Sequence, residues 1–169
     1  KTKDNIVELH IKDPGFSVTE AFNTLRTNIM FSGENIKTVM VTSTNPAEGK
    51  SFVAMQLAKS FADINKKVVY IDCDLRKSVT LSRYKIRGKR VGLTEYITGQ
   101  KSQLIYETNI PNLAVILSGH VVPNPIELME SKKFDDLLSV LRERFDYVII
   151  DSPPVGSVVD ACVIAPKVD

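Results

Sequence analysis

A surplus of charge of either sign is missing from this sequence: 22 Lys and Arg stand against 20 Asp and Glu, a formal net charge of +2. That balance offers no broad basic field for nucleic acid, and a mixed, solvated surface is the simpler reading. Cysteine is scarce too. Cys73 and Cys162 form no CxxC pair and no pairing with His, which argues against a disulfide framework or a zinc site. Each lies in or beside an apolar segment and reads as a reduced, buried thiol, in keeping with the cytoplasm. The two histidines, His10 and His120, lack neighbours that would make them catalytic or metal-ligating. Long apolar runs are missing as well. No stretch reaches the roughly 18 residues needed to cross a bilayer, and no secretory leader is visible. Any membrane role is expected to come through a partner.

What is present suits one globular domain. The chain has 169 residues, 43% hydrophobic and 25% charged, enough for a sizeable core. It starts at Lys1 and stops at Asp169, just after an apolar segment, and so reads as part of a longer chain. Residues 1–16 are mixed and close on the turn signal Asp13-Pro14-Gly15, marking an N-terminal extension before a domain over 17–169. From Ser17 the apolar residues Ala21, Phe22, Leu25, Ile29 and Met30 recur at helical spacing, with Ser17 and Glu20 forming a capping box and Gly33 ending the helix. Apolar runs beginning at Thr38, Val68, Leu113 and Tyr147 read as strands. A helix from about Lys50, short helices over 93–108 and a helix over 126–144 lie between them; residues 75–92 read as a basic loop with room for a short helix. Strands that are apolar throughout and alternate with helices predict a mainly parallel sheet flanked by helices on both faces.

Three features fall at predicted strand ends, where open α/β sheets bind ligands. The first is Thr44-Asn45-Pro46-Ala47-Glu48-Gly49-Lys50-Ser51 between a strand and a helix, a P-loop whose first glycine is replaced by Thr44. A triphosphate needs many donors in a small volume, and the backbone N–H groups of Ala47, Glu48, Gly49, Lys50, Ser51 and Phe52 supply them at a helix N-terminus. Lys50 offers a point charge between the β- and γ-phosphates, and Ser51 a hydroxyl to Mg²⁺. A strand–turn–helix that merely contains Gly-Lys-Ser is the bland alternative. The second is Asp72-Cys73-Asp74, two carboxylates at a strand end, suited to a hard cation or to accepting a hydroxyl proton; each alone is equally an exposed strand end. The third is Val148-Ile149-Ile150-Asp151, an apolar strand ending in an acid, the form of a Walker B strand. Each is weak alone; their convergence on one Mg·ATP site is the argument.

Longer stretches around these features resemble the bacterial tyrosine kinases from about Ser17 to Asp169. Val41 to Ser51 is similar to the family's Walker A, Ile71-Asp72-Cys73-Asp74-Leu75-Arg76-Lys77-Ser78 to its Walker A′, and Ile149-Ile150-Asp151-Ser152-Pro153-Pro154 to its Walker B. Gly92-Leu93-Thr94-Glu95-Tyr96 and the run from Ser118-Gly119 to Leu128 match further family segments. The related partitioning and septum-site ATPases usually carry a signature Lys where this chain has Asn45.

The resemblance implies a three-layer P-loop NTPase fold with a deviant Walker A. It also implies ATP-dependent autophosphorylation on tyrosine, phosphorylation of other proteins, and regulation of capsular or exopolysaccharide synthesis and export. Carried over residue by residue, Lys50 and Ser51 hold phosphate and Mg²⁺, Asp72 and Asp151 hold the metal and its waters, and Asp74 accepts the tyrosine proton or gives further support to the metal. A transmembrane activator is implied as partner, placing the protein at the inner face of the cell membrane. The family's Glu-x-x-Arg-x-x-Arg motif supports ring assembly; here it spans Glu20 to Arg26 with Asn23 in the middle, and a solvated helix face is the bland alternative. A tyrosine-rich tail and further strands are implied beyond Asp169. The five tyrosines present are scattered, and Tyr70 and Tyr147 read as core. A P-loop ATPase switch and a non-catalytic nucleotide-binding assembly module remain the alternatives to a kinase.

Overall fold

Strands buried along their whole length and helices with a 3.6-residue period build a sheet covered on both faces. The computed structural model describes residues 5–42, 49–75, 80–88, 90–100, 103–153 and 168–169. In chain order these form β1 (Ile6–Val7), α1 (Phe16–Ser32), β2 (Thr38–Val41), α2 (Lys50–Asp63), β3 (Val68–Asp72), α3 (Thr80–Arg83), α4 (Leu93–Ile97), β4 (Tyr106–Thr108), β5 (Leu113–Ile116), α5 (Pro125–Glu130), α6 (Lys132–Arg144) and β6 (Tyr147–Asp151). The six strands lie in the order β1-β4-β5-β3-β6-β2. Every pair is parallel except β4 with β5.

Successive side chains of a strand leave opposite faces, so β3 splits its residues between two cores. Val68 and Tyr70 join Phe61, Leu57 and Ala58 of α2 on one face; Val69 and Ile71 join Phe134, Leu138 and Leu141 of α6 on the other. All five residues of β3 are buried, as a central parallel strand requires. α1 packs outside α2 through Phe22, Ile29 and Met30, with the Phe22 ring edge-on to Phe52 at 6.0 Å. The predicted three-layer arrangement is therefore present.

Several local expectations are corrected. α1 starts at Phe16, not Ser17, and its N-cap is Gly15 (φ 91°) without a side-chain cap. The Asp13 carboxylate takes the Gly15 N–H and the Gly15 carbonyl takes the Thr19 N–H, so the turn itself starts the helix and the Ser17–Glu20 box is not used. Among the described residues of the helices predicted over 93–108, only Leu93–Ile97 is helical. Tyr106–Thr108 is a strand, held beside β5 by a tight connection in which Thr108 Oγ1 donates to the Leu113 carbonyl and Asn112 takes φ 68°. The helix expected over 126–144 is two helices broken at Ser131 (ψ 147°), whose hydroxyl accepts the Phe134 N–H and caps α6. Residues read as an N-terminal extension supply β1 and bury Val7 and Leu9.

Candidate functional site

Three parallel strands end side by side. Val41 at the end of β2 is in register with Asp151 at the end of β6, and Asp151 with Asp72 at the end of β3. Residues two apart on a strand share a face, so Asp72 lies on the face of Tyr70, against α2. The chain exits are tied together: the Ser152 N–H and hydroxyl donate to the Val41 carbonyl, Thr42 Oγ1 donates to the Pro153 carbonyl, and the Cys73 N–H donates to the Asp151 carbonyl.

Helix α2 begins over this row. Gly49 takes φ 79° and ψ 16°, a left-handed conformation that glycine alone adopts without strain, and its carbonyl accepts the first helical bond from the Val53 N–H. The following N–H groups have no acceptor within the helix and, with the helix dipole, suit an anion. Ser51 is buried at this end, with its carbonyl held by the Tyr84 hydroxyl at 3.4 Å. Burial pushes the Tyr84 phenol up, so it stays a donor. Phe52 is half-buried against Phe22, leaving its main chain as its means of touching phosphate. Ala47 and Glu48 lie outside the described residues, as do Thr44, Asn45, Arg76, Lys77 and Cys162.

The charged centre is compact and dry. The Lys50 ammonium pairs with Oδ1 of Asp151, and the two side chains keep only 8% and 1% of their exposure. Tyr70 donates its hydroxyl proton to Oδ2 of the same carboxylate at 2.6 Å. Burial first, then the charges of Asp151 and Asp72, hold the Tyr70 phenol well above its ordinary range, so it remains a donor. Burial, and then the same two carboxylates, push the Cys73 thiol up, leaving it protonated and unreactive. Asp74 is placed by a turn rather than by the strand: β3 ends at Asp72, whose Oδ1 accepts the Asp74 N–H at 3.1 Å, and Asp74 is only half-buried. Strand alternation therefore does not set the face on which Asp74 lies.

Two neighbouring buried carboxylates are tolerated only with positive charge close by. Lys50 is one such charge, and a divalent cation fits the remaining chemistry. Ser51, Asp72 and Asp151 are all oxygen donors, the kind Mg²⁺ prefers. Among the described residues no group of three or more His, Cys, Asp or Glu could enclose a metal on its own. Water and phosphate oxygens would complete such a shell, as is usual for Mg²⁺.

A second knot borders the site and joins Gly92–Tyr96 to the run from Ser118, two segments whose contact the sequence does not show. Leu93 and Thr94 N–H groups donate to the Leu117 and Ser118 carbonyls beyond β5, and Thr94 Oγ1 donates to the Ser118 and His120 carbonyls. Glu95 is buried, and its carboxylate accepts the N–H groups of Gly92 and His120, both at 2.9 Å. Val122 N–H in turn reaches the Leu75 carbonyl at 3.4 Å, docking this loop on the segment that follows Asp72. Glu20 and Arg26 lie away from the acidic row on α1. Glu20 is exposed, while Arg26 is half-buried and donates to the Ser60 carbonyl of α2 at 2.9 Å.

The chain matches a family of AAA domains over residues 36–165. It is 47% identical over 152 residues to the tyrosine-protein kinase CpsD of Streptococcus pneumoniae serotype 4, which covers 89% of this chain and 67% of that protein. The chain thus spans about two thirds of that relative's length. Its fold superposes on the kinase domain of Escherichia coli tyrosine kinase ETK with a TM-score of 0.86 at 33% identity, covering 94% of this chain and 63% of that one. The septum-site-determining protein MinD of Pyrococcus horikoshii, solved with Mg-ADP, matches with a TM-score of 0.65 at 19% identity over 79% of this chain and 55% of that one, a likeness of fold alone.

Proposed function

The chain belongs to the bacterial tyrosine kinase family, and we propose that its site transfers the γ-phosphoryl group of ATP to protein tyrosine hydroxyls, those of its own full-length chain included. The observation that carries this reading is the row Val41, Asp151, Asp72 at three adjacent strand ends, with Lys50 reaching into it from the first turn of α2.

Main-chain N–H groups from Ala47 to Phe52 bind the phosphates, and the Lys50 ammonium lies against the β- and γ-phosphate oxygens. Ser51, with Asp72 and Asp151 acting directly or through water, holds Mg²⁺, which when bound supplies positive charge against those oxygens as the transition state forms. Asp74, half-buried one turn beyond Asp72, accepts the phenolic proton or lends support to the metal. The tyrosine oxygen bonds to the γ-phosphorus as the bond from that phosphorus to the β,γ-bridging oxygen breaks, and ADP leaves. Positioning and electrostatics dominate such a reaction, and the dry centre around Lys50 and Asp151 strengthens both.

The family supports a role in capsular or exopolysaccharide synthesis and export, under a transmembrane activator at the inner face of the membrane. No helix among the described residues is long and apolar enough to cross a membrane. Self-association through α1, engaging Glu20 and Arg26, belongs to the same reading.

The test is the full-length protein incubated with γ-labelled ATP, Mg²⁺ and its membrane activator, then probed for phosphotyrosine. Label on tyrosine is expected, and Lys50→Met and Asp72→Ala should abolish it. Free phosphate without phosphotyrosine would instead identify an ATPase switch, and bound but unchanged nucleotide an assembly module; either result overturns the kinase reading. Phosphotyrosine that persists in both variants overturns the residue assignment.

A further inference from the structure

The Asp151 carboxylate is held at both oxygens by different side chains. Lys50 pairs with Oδ1 from α2, and Tyr70 donates to Oδ2 from the neighbouring strand at 2.6 Å. Tyr70 is fully buried, and its hydroxyl also meets Thr80 Oγ1, the first residue of α3, at 3.4 Å. A phenol has one proton to give. The short contact to a carboxylate takes that proton, so Thr80 is the donor in the second contact, and the ring is fixed from two sides.

We propose that Tyr70 is a positioning residue for Asp151, setting the direction in which this carboxylate presents Oδ1 to the metal and its waters. The inference rests on the reading of Asp151 as a magnesium-supporting acid given above. Its physical basis is the independence of the two contacts. Lys50 has two anionic claimants, the carboxylate and the nucleotide's phosphates, and its hold on Oδ1 varies with which of them it engages. The Tyr70 bond comes from the sheet itself, from a residue whose backbone neighbours in register are Val115 and Ile149. It is unchanged by that choice and keeps the carboxylate from turning. Helical and strand periodicity marked Tyr70 only as core; the two-residue step to Asp72 on the same face is the one feature of the sequence that connects it to the site.

The experiment measures binding of a fluorescent ADP to the whole chain with and without Mg²⁺, for the wild type, Tyr70→Phe, Asp151→Asn and the double variant. Phe keeps the ring and its packing and removes only the hydroxyl. Tyr70→Phe is expected to reduce the Mg²⁺-dependent gain in affinity about tenfold, the size of one hydrogen bond to a charged acceptor, and to leave Mg²⁺-free binding as it was. Asp151→Asn should remove most of the gain, and adding Tyr70→Phe to it should change nothing further, because Tyr70 acts through Asp151. A Tyr70→Phe protein with the wild-type gain, one weakened equally with and without Mg²⁺, or full additivity with Asp151→Asn each overturns the inference. An undiminished gain in Asp151→Asn overturns the underlying assignment of Asp151 and the role of Tyr70 with it, which separates the two failures.

Discussion

Lys50 and Asp151 stand 101 residues apart in the chain and form a buried ion pair at the centre of the site. One is the first residue of α2 and the other the last of β6, so the contact requires the P-loop helix and the Walker B strand to be assembled in register. It also gathers opposite charges in a place where, left alone, each is costly.

Lys50→Met is therefore expected to cost stability as well as activity. The substitution leaves Asp151 buried beside Asp72 without the Lys50 charge, a change of about 3 kcal/mol for one partner of a buried pair. Adding Asp151→Asn removes the stranded charge and should recover at least about 1 kcal/mol of that loss. Urea denaturation of the two variants against the wild type decides the matter. A double variant less stable than Lys50→Met would mean that the stranded Asp151 charge is not what makes Lys50→Met costly.

Glu95 gives a pH dependence with a definite sign. Burial alone raises its pKa, but the N–H bonds from Gly92, from its own amide and from His120 outweigh burial and lower it. A folded-state pKa below the unfolded value of about 4.3 stabilises the protein above that pH, and the contribution disappears as pH falls through the folded value. Wild-type stability should therefore drop faster than that of Glu95→Gln as pH falls below about 4.3. At pH 7 Glu95→Gln should be the less stable by about 1–2 kcal/mol, through weaker acceptance of the Gly92 and His120 N–H bonds. Denaturant midpoints from pH 7 down into the acid range test both statements; parallel acid limbs would dismiss the lowered pKa of Glu95.

Gly92 in that knot is required for a different reason from the other loop glycines. A Cβ on Gly92 would lie 2.2 Å from the Gly119 nitrogen and 2.6 Å from the Leu117 oxygen, both main chain and unable to step aside. Gly88 has φ +82° with open space around it, so alanine there meets only backbone strain. Gly92→Ala is expected to cost about 3 kcal/mol and Gly88→Ala about 1 kcal/mol. Equal midpoints for the two variants would show that the strand-end loops do not depend on this close approach.

The parts of the fold legible in the sequence were those with a periodic signal or a chemical one. β3 and β6 read directly as strands because central parallel strands are apolar on both faces. Gly49, Lys50, Asp72 and Asp151 stand out by motif spacing, and register brings three of the strand ends together. What was hidden has no period. β1 is two residues long and β4 three, both below the length at which alternation can be seen, and the β4–β5 pairing is held by Thr108 and Asn112 in a turn. The hydroxyl of Tyr70 was invisible because a strand residue that is wholly buried looks like any other core position. Glu95 lies in a segment that resembles the family's, but nothing in one sequence says that its carboxylate closes on the loop at His120.

Arg26 separates a strap within the chain from a contact between chains. Its guanidinium donates to the Ser60 carbonyl and to Asn23 Oδ1, and Asn23 donates to Glu20 at 3.4 Å, so the three side chains run along one face of α1 toward α2. Glu20, at the exposed end, adds little to the fold. Arg26→Ala is then expected to lower monomer stability by about 1–2 kcal/mol, whereas Glu20→Ala should stay within about 0.5 kcal/mol. If α1 also meets a second copy, Glu20→Ala should weaken self-association in sedimentation while leaving the urea midpoint of the dilute protein unchanged. Because Arg26 is already bonded to its own α2, its substitution should move both measurements, and a loss of association without loss of stability in Arg26→Ala would show that the Ser60 contact does not hold α1 in place.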